Sequence, residues 1–404
     1  MLSYHILMQI CIQYIHVRSG EMKVKNIVIC FMVIFLISLT ETSVYAVSYD
    51  NPENAPEIKA SLLMEAESGQ VLQHENGYEK VPVGTLNKMM TLLLTAEAVE
   101  NGVIDEDTMI TASAYANSMT QATIWLLAGE KMSAGDLIKS VAVGNANDAS
   151  VALAEAVYGS ETEFVKHMNT RAFELGMHDT VYTDCTGYDN DIQHSTAYDT
   201  ALLAREMIKH KILTDYMTIW HDYVRDGSTE LVNENNLVRT CKGILGIKAG
   251  HSRMSGNCAA IAVRRDNSSY ISVVLGYSDK NERFSDAEKL INTGFSQYQT
   301  TVPMLSSEYL LPVKVKGGAD SAVELKIGNI SALAVPSGRT DDISCVMIIP
   351  KYINAPVARN QKIGCAVFYL DDTMLCRTDI MTAQPVESMT AWTAFKRIYT
   401  SLLK

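Results

Sequence analysis

Signatures of metal and cofactor chemistry are missing from this sequence. It has no CxxC pair, no cysteine or histidine spacing typical of a metal site, and no glycine-rich loop of the kind that binds phosphate. We therefore expect no metal and no cofactor. A positive surface is missing as well, since 34 Lys and Arg stand against 46 Asp and Glu and leave a formal net charge of -12. Nucleic-acid binding depends on clustered basic side chains, so this balance argues against a nucleic-acid partner.

The cysteines show no obvious disulfide framework. Two of the eight, Cys11 and Cys30, lie near the N-terminus. We interpret the other six as buried free thiols because they show no paired spacing; they are Cys185, Cys241, Cys258, Cys345, Cys365 and Cys376. The alternative is a bridge between Cys345 and Cys365, which both lie in strand-like stretches.

The N-terminal apolar run is too short to be a comfortable membrane span. This run, at 27–39, follows a short basic stretch and precedes small side chains that end at Ala46. A basic start, an apolar centre and a small-residue exit are typical of a secretory signal peptide, and an uncleaved anchor is the alternative. We expect residues 1–46 to be an upstream extension plus this signal, with the true start at Met22, and the rest of the chain to be exported.

The order of predicted elements defines a first domain at 56–298. Strands are predicted at 59–65, 70–74, 258–264 and 270–276, and helices at 85–101, 134–158, 161–176, 196–210 and 283–298. The helical region at 134–158 is interrupted near Gly144. Strands at both ends with helices between them predict an α+β domain whose sheet is assembled from both ends of the segment.

The chain changes character beyond about residue 300. Short strands separated by Gly, Asn, Asp and Pro are predicted at 312–316, 322–327, 332–335, 344–349 and 366–370. Strands of this length with frequent turn residues predict a small all-β domain at 303–385.

The last stretch, 386–404, has the pattern of an amphipathic helix. One helical face carries Trp392, Phe395, Tyr399, Leu402 and Leu403, and its edges carry Lys396, Arg397 and Lys404. Aromatic residues on one face with basic edges are typical of a helix that lies in a membrane interface. We predict contact with the outer face of the cytoplasmic membrane; a helix that packs back on the protein is the alternative.

A hydroxyl and a lysine lie three residues apart at the start of the helix predicted at 85–101. Thr85 and Lys88 therefore share one helical face, and Thr85 lies at the positive end of the helix dipole. A lysine desolvated in a cleft is neutral part of the time and can take the hydroxyl proton, which produces a nucleophile for acyl transfer. Alone, the spacing is far more often an N-cap followed by a solvated lysine.

Three blocks in order give this pair a context. Residues 85–91 resemble the S-x-x-K stretch, residues 145–149 the S-x-N motif, and residues 247–250 the K-T-G motif of the serine-type D-alanyl-D-alanine carboxypeptidases, which are low-molecular-mass penicillin-binding proteins. Residues 195–199 are similar to the S-T-A-x-D stretch of that family. The resemblance covers roughly residues 58–298. It implies a β-lactamase-like transpeptidase fold, in which helices flank an antiparallel sheet and add a helical subdomain.

The resemblance also implies a set of catalytic residues. Thr85 would be the acylated nucleophile, Lys88 its base, and Asn145 the residue at the position that passes a proton to the leaving amine. The substrate would be a peptidoglycan stem peptide that ends in D-Ala-D-Ala. β-Lactams would acylate the same nucleophile.

A second set of residues would bind the substrate. Asn147 would contact the substrate amide, and Lys248 would face the C-terminal carboxylate. Gly250 and His251 would complete this edge of the site. Backbone N–H groups of Thr85 and His251 would form the oxyanion hole.

Each of the three motifs departs from the family pattern. The usual serine nucleophile is Thr85, whose methyl group restricts χ1 and crowds the attack path. The usual S-x-N serine is Asn145, which donates and accepts hydrogen bonds but cannot relay a proton as a hydroxyl does. The usual K-T-G threonine is Ala249, so a hydroxyl contact to the carboxylate worth about 1.5–3 kcal/mol is lost.

Three functions are compatible with these residues. The first is a carboxypeptidase that removes the terminal D-alanine of stem peptides through an acyl-enzyme. The second is a catalytically impaired relative that binds wall peptides or a wall-synthesis partner, which the two lost hydroxyls would explain. A β-lactamase ranks last, because no further carboxylate motif is placed to activate water as in class A enzymes.

Overall fold

The computed structural model describes residues 58–303, 305, 309–330, 332–392, 394–395 and 399. The signal peptide predicted within 1–46 lies outside the described residues. Among the helices that are described, none combines the length and the apolar character needed to cross a bilayer.

Strands at both ends of the segment 58–297 enclose most of its helices. The strands are β1 (Ala60–Glu65), β2 (Val71–Glu75), β3 (Met109–Thr111), β4 (Lys131–Ser133), β5 (His221–Val224), β6 (Thr229–Val232), β7 (Ile244–Ser252), β8 (Gly256–Arg265) and β9 (Ser268–Tyr277). The helices are α1 (Lys88–Glu100), α2 (Ala114–Asn117), α3 (Ala134–Ala142), α4 (Asn147–Tyr158), α5 (Glu161–Glu174), α6 (Ala197–Met207), α7 (Lys211–Met217), α8 (Leu237–Thr240) and α9 (Lys280–Gln297).

The main sheet is antiparallel, with the strand order β2-β1-β9-β8-β7. Strand β1 pairs with β9, so that Ala60 lies opposite Leu275 and Glu65 opposite Tyr270. The sheet is therefore assembled from both ends of the segment, and the α+β prediction is confirmed. Strand β7 lies at the edge of this sheet, which leaves one side of the strand open to the helical region.

Helix α1 lies in the interior and organises the helical region. It is apolar around most of its circumference, as expected for a helix that is buried on all sides. Its side chains share one core cluster with residues of β1, β8 and β9 and of the surrounding helices. A 3-10 turn at Gly84–Asn87 precedes it, so the predicted helix at 85–101 begins as a tighter turn.

The helical region predicted at 134–158 is two helices, with the break where the sequence indicated it. Helix α3 ends at Ala142 and α4 begins at Asn147. Ser133 caps α3 by accepting a hydrogen bond from the N–H of Asp136. The break leaves the segment between the two helices free to face β7.

The segment after α9 consists of short strands. They are β10 (Tyr298–Thr301), β11 (Val313–Lys316), β12 (Ala322–Val323), β13 (Leu325–Ile327), β14 (Leu333–Pro336), β15 (Ile343–Ile348), β16 (Tyr352–Asn354), β17 (Lys362–Leu370) and β18 (Thr373–Thr382). They form sheets with the orders β10-β14, β12-β11-β16 and β13-β18-β17-β15 around an apolar core of their own. The β-rich prediction is confirmed, although β10, β16 and β18 were not foreseen.

The helix predicted at 386–404 does not begin at 386. Val386 pairs with Val357 in an extended bridge, and it is buried in the core of the β-rich segment. Its burial against the β strands explains the error, because the amphipathic pattern alone could not distinguish core from membrane contact. Residues 391–392, 394–395 and 399 are helical, and the rest of the predicted helix lies outside the described residues.

The six cysteines of the described chain are free thiols, as the preferred interpretation stated, but Cys345 and Cys376 are only half-buried. The alternative bridge between Cys345 and Cys365 is wrong. Cys345 lies opposite Phe368, whereas Cys365 lies opposite Ile348, so the two cysteines are offset by three residues along the paired strands. An offset of that size separates their Cα atoms by about 10 Å, beyond the reach of a disulfide.

Candidate active site

Thr85 lies in the 3-10 turn that leads into α1, and this turn rests against β7. Its Oγ1 donates a hydrogen bond to the backbone carbonyl of His251, at 3.1 Å. Gly250 makes the close approach possible, because a Cβ atom at that position would lie 2.4 Å from Cβ of Thr85. The first and third sequence motifs are therefore in direct contact.

Lys88 is the first residue of α1, and its side chain is buried with the residue only 2% exposed. Its Nζ donates to the backbone carbonyl of Thr186. Burial lowers the pKa of Lys88 to about 8, while the nearby acids Asp184 and Glu234 act in the opposite direction. A lysine with this pKa carries a usable fraction of the neutral base near physiological pH.

The loop that faces Lys88 is shaped by Asp184. Its Oδ1 accepts hydrogen bonds from the N–H of Thr186 at 2.8 Å and from the N–H of Gly187 at 2.5 Å. These contacts hold the turn that presents the carbonyl of Thr186 to the ammonium of Lys88. Sequence reasoning did not identify this carboxylate, which orients the turn.

Asn145 lies between α3 and α4 in a left-handed backbone conformation, with φ of 57°. Its Nδ2 donates to Oε2 of Glu234 at 3.2 Å and to the carbonyl of Ala249 on β7 at 3.3 Å. Its Oδ1 is buried and has no hydrogen-bond partner among the described residues. The second motif thus reaches the strand that carries the third.

Asn147 begins α4 and holds a neighbouring loop. Its N–H donates to the carbonyl of Ala122 at 2.7 Å, and its Nδ2 donates to the carbonyl of Thr120 at 2.9 Å. Within the described chain, its buried Oδ1 also has no partner.

Lys248 lies on β7 and is buried, with 2% of the residue exposed. Its Nζ donates to the carbonyls of Val141 and Ala142, at 2.5 and 3.0 Å. These carbonyls end α3, where the helix dipole favours a cation. Burial, and then the charge of Lys88, hold the pKa of Lys248 well below its usual range. A direct contact of Lys248 with a substrate carboxylate stays a prediction.

Three titratable side chains, those of Glu234, Arg283 and His251, meet beside these groups. Sequence reasoning included His251 in the site but missed Glu234 and Arg283. Oε1 of Glu234 lies 3.2 Å from Nη2 of Arg283 and 3.4 Å from Nδ1 of His251. Burial would raise the pKa of Glu234, but the hydrogen bond with His251 and the charge of Arg283 lower it to about 2. The hydrogen bond with Glu234 raises the pKa of His251. Glu234 is therefore ionised at any working pH.

The sequence-predicted residues meet in one region. Thr85, Lys88, Asn145, Asn147, Lys248, Gly250 and His251 lie on the 3-10 turn, the starts of α1 and α4, the α3–α4 loop and β7. The side chain of Ala249 lies outside this region, because successive side chains of a strand point to opposite faces of the sheet. Its side chain joins the core cluster on the far side of the sheet, with Tyr277 and Phe284.

Comparisons with known proteins show the family to which this fold and sequence belong. The model of the D-alanyl-D-alanine carboxypeptidase family, peptidase family S11, matches residues 49–279, which is more than half of the chain. The chain belongs to this family. A second model, that of the C-terminal domain of penicillin-binding protein 5, matches residues 298–388 and covers the β-rich segment of this carboxypeptidase relative.

Individual family members resemble the chain over most of its length. The D-alanyl-D-alanine carboxypeptidase DacF of Bacillus subtilis is 32% identical over 85% of this chain and 92% of its own length. The crystal structure of penicillin-binding protein 5 from Haemophilus influenzae is 25% identical, with a TM-score of 0.75 over 81% of this chain and 97% of that one. The predicted fold, a transpeptidase domain of the penicillin-binding-protein type followed by a β-rich domain, is confirmed.

A further similar structure was solved with a bound ligand. Penicillin-binding protein D2 from Listeria monocytogenes, solved in its cefotaxime-bound form, is 28% identical. It has a TM-score of 0.51 over 59% of this chain and 96% of that one. As a member of the D-alanyl-D-alanine carboxypeptidase family, this chain is a serine-type hydrolase.

Proposed function

We propose that the protein is an exported D-Ala-D-Ala carboxypeptidase in which Thr85, rather than a serine, carries the acyl group. The proposal is supported chiefly by one contact: the hydroxyl of Thr85 meets the backbone of β7 at His251, at 3.1 Å. That contact joins the nucleophile to the strand edge of the substrate site. The cefotaxime-bound relative supports β-lactams as ligands of the same site.

In the first step, Lys88 removes the proton of Thr85. With a pKa of about 8, on the order of one tenth of the lysine is neutral at pH 7. Oγ1 of Thr85 then attacks the carbonyl carbon of the penultimate D-alanine and forms an ester bond. The N–H groups of Thr85 and His251 would stabilise the oxyanion that develops on the carbonyl oxygen.

In the second step, the bond to the terminal D-alanine breaks and its nitrogen takes the proton that Lys88 holds. Lys88 is suited to this role because the same ammonium received the proton in the first step, and it lies three residues after Thr85 at the start of α1. Asn145 accepts hydrogen bonds but does not relay protons, so it orients the leaving amine. Water then hydrolyses the ester and regenerates the hydroxyl of Thr85.

A direct experiment tests the assignment. The protein is incubated with a fluorescent penicillin and with an acylated tripeptide ending in Lys-D-Ala-D-Ala, followed by intact-mass analysis and a D-alanine assay. We expect a covalent adduct and D-alanine release, and Thr85→Ala should lack both. An adduct that persists in Thr85→Ala would contradict the assignment of the nucleophile.

A catalytically impaired relative is the second candidate, and Asn145 favours it. Both Nδ2 contacts of Asn145 are made to protein acceptors, and its amide cannot pass a proton as the usual hydroxyl at this position does. In that case the protein would bind the tripeptide without releasing D-alanine and without forming an adduct. Rapid turnover of the penicillin would instead support the β-lactamase function.

We also propose that the C-terminal helix touches the outer face of the cytoplasmic membrane. Trp392, Phe395 and Tyr399 are exposed, and their rings follow one another with centroid distances of 6.0 and 6.3 Å. Such a row of exposed aromatic rings suits the membrane interface. The full chain should co-sediment with anionic vesicles, and Trp392→Ala with Phe395→Ala should not. Phe173→Ala, at another exposed aromatic, is the control; equal sedimentation of all three would overturn the proposal.

A further inference from the structure

Glu234 lies where the sequence motifs gave no reason to expect a carboxylate. It follows β6 and precedes α8, and its side chain is 17% exposed at the edge of the site. It touches Asn145 through Oε2, and Arg283 and His251 through Oε1. Arg283 is fully buried and also donates to the carbonyl of Gly250 at 2.8 Å. One carboxylate therefore connects the S-x-N position with the strand of the third motif.

The contacts of Glu234 determine how the amide of Asn145 is oriented. A carboxylate only accepts hydrogen bonds, and so does the backbone carbonyl of Ala249. Both lie next to the same atom of the Asn145 side chain, at 3.2 and 3.3 Å. That atom must be the NH2 group, because a carbonyl oxygen in its place would face two acceptors. The other atom, Oδ1, must then point away from Glu234.

The backbone conformation of Asn145 limits which residue types can occupy this position. Its φ of 57° places it in the left-handed region, which is uncommon outside glycine and is tolerated best by asparagine and aspartate. Oδ1 is buried and lacks a hydrogen-bond partner within the described chain. An unpaired buried acceptor costs about 1–3 kcal/mol, so its retention points to a donor supplied from outside.

We propose that Glu234 is a positioning residue that fixes the amide of Asn145 so that Oδ1 accepts a hydrogen bond from the amine of the departing D-alanine. The inference rests on the proposed carboxypeptidase function and adds a residue to it. Glu234 is a poor base, because the hydrogen bond with His251 and the charge of Arg283 lower its pKa to about 2 and leave it little tendency to take up a proton. The proton balance is unchanged: the proton leaves Thr85, is held by Lys88 and ends on the leaving nitrogen.

Glu234→Gln is the variant that tests this role, because glutamine has nearly the same shape but can donate as well as accept. The amide of Asn145 could then rotate, with Oδ1 toward the NH2 group of the glutamine. We expect kcat for D-alanine release to fall about tenfold while KM changes less than about twofold, as expected when an interaction acts in the transition state. Glu230→Gln is the matched control: Glu230 lies 2.8 Å from His221 on an exposed hairpin outside the site.

A double-mutant cycle separates positioning from a purely structural role. Asn145→Ser replaces the amide by the hydroxyl that is usual in the family, so there is no amide left to orient. In that background, Glu234→Gln should change kcat less than about twofold, because coupled residues are not additive. An equal tenfold loss in both backgrounds would overturn the proposal, since Glu234 would then act through Arg283 or through the fold.

A second measurement does not depend on turnover. The side-chain amide signals of Asn145, assigned by their loss in Asn145→Ser, can be followed by NMR in 15N-labelled full-length protein. We expect them to shift in Glu234→Gln and to stay in place in Glu230→Gln. Unchanged signals in both variants would overturn the orientation by Glu234. If the wild type forms no adduct and releases no D-alanine, the proposed function fails, and this NMR comparison still decides the contact.

Discussion

The two parts of the described chain bury different kinds of side chain. In the segment 58–297, Lys88, Lys248 and Arg283 are buried among apolar residues. In the described part of the β-rich segment, the buried polar side chains are Thr378 and Thr382, and each donates to a backbone carbonyl. Burying a charge costs several kcal/mol unless it is compensated. Charges retained at that cost mark the part of the chain that carries the chemistry.

The apolar core of the β-rich segment follows a simpler principle. Phe368, Ile380 and Val386 meet there with other aliphatic side chains, and the strands around them are partly exposed. Such a core contributes stability in proportion to the area that it buries. We therefore expect substitutions in the two cores to have opposite consequences: loss of activity in one and loss of stability in the other.

Lys88→Met should give the largest effect on activity. Without the base, acylation by a fluorescent penicillin should slow by about 1,000-fold or more. The melting temperature at pH 7 should stay the same or rise. Burial lowers the pKa of Lys88 from 10.5 to about 8, so protonating this lysine in the folded protein costs stability. The cost is full below pH 8, decreases between pH 8 and pH 10.5, and is absent above pH 10.5. A large drop in the melting temperature would contradict the view that the buried charges of the segment 58–297 serve activity rather than stability.

Phe368→Ala should have the reverse profile. Phe368 is 2% exposed in the β-rich core, and its loss should lower the free energy of unfolding of that segment by about 3–5 kcal/mol. The acylation rate of the folded protein at 25 °C should not change. Denaturant unfolding and penicillin labelling on the same sample measure both quantities. Phe173→Ala, at a 70% exposed residue, is the control and should change stability by no more than about 0.5 kcal/mol.

Gly250→Ala should damage the site through a single methyl group. The added Cβ would lie 2.4 Å from Cβ of Thr85, so Thr85 or β7 must move. A displacement of the nucleophile by about 1 Å can lower the acylation rate by about 100-fold. In the β-rich segment, Gly328→Ala meets its nearest atom at 3.1 Å and should leave acylation unchanged. Equal labelling of both variants would show that Thr85 does not require this approach.

The pH dependence should give the smallest effect. The value of kcat/KM should rise with pH through a midpoint near pH 8 and level off above about pH 9, because only deprotonated Lys88 can act as the base. Glu234 raises the pKa of Lys88, so Glu234→Gln should move this midpoint to lower pH. A profile without a midpoint between pH 7 and 9 would contradict the role of Lys88.

The sequence predicted the elements with strong local patterns. The strands β1, β2, β8 and β9 and the break between α3 and α4 were foreseen, because alternation, turn residues and the Gly144 interruption are local signals. Strand β18 was missed because Arg377 and Asp379 interrupt its apolar pattern. These charges are accommodated because the strand lies partly exposed in its sheet. Reasoning from the local sequence also assigned Val386 to a helix, which is wrong. Its burial in the β-rich core is a tertiary contact, and the local pattern does not reveal such contacts.

The candidate site shows the same limit. Thr85, Lys88, Asn145, Asn147 and Lys248 were recognised because they lie in motifs with fixed spacing. Glu234 lies in no such motif, and its meaning comes from its distances to Asn145, Arg283 and His251. A lone glutamate in a polar stretch is most often solvated, so only the fold could bring it to attention.

The account depends above all on Thr85 as the acylated residue. Digestion of the penicillin-labelled protein, followed by tandem mass spectrometry, locates the adduct on a single side chain. We predict an ester on Thr85. Ser252 and Ser255 offer hydroxyls close by, because a Cβ at Gly84 would lie 2.8 and 2.5 Å from their Oγ atoms. An adduct on either serine, with Thr85 unmodified, would contradict the account.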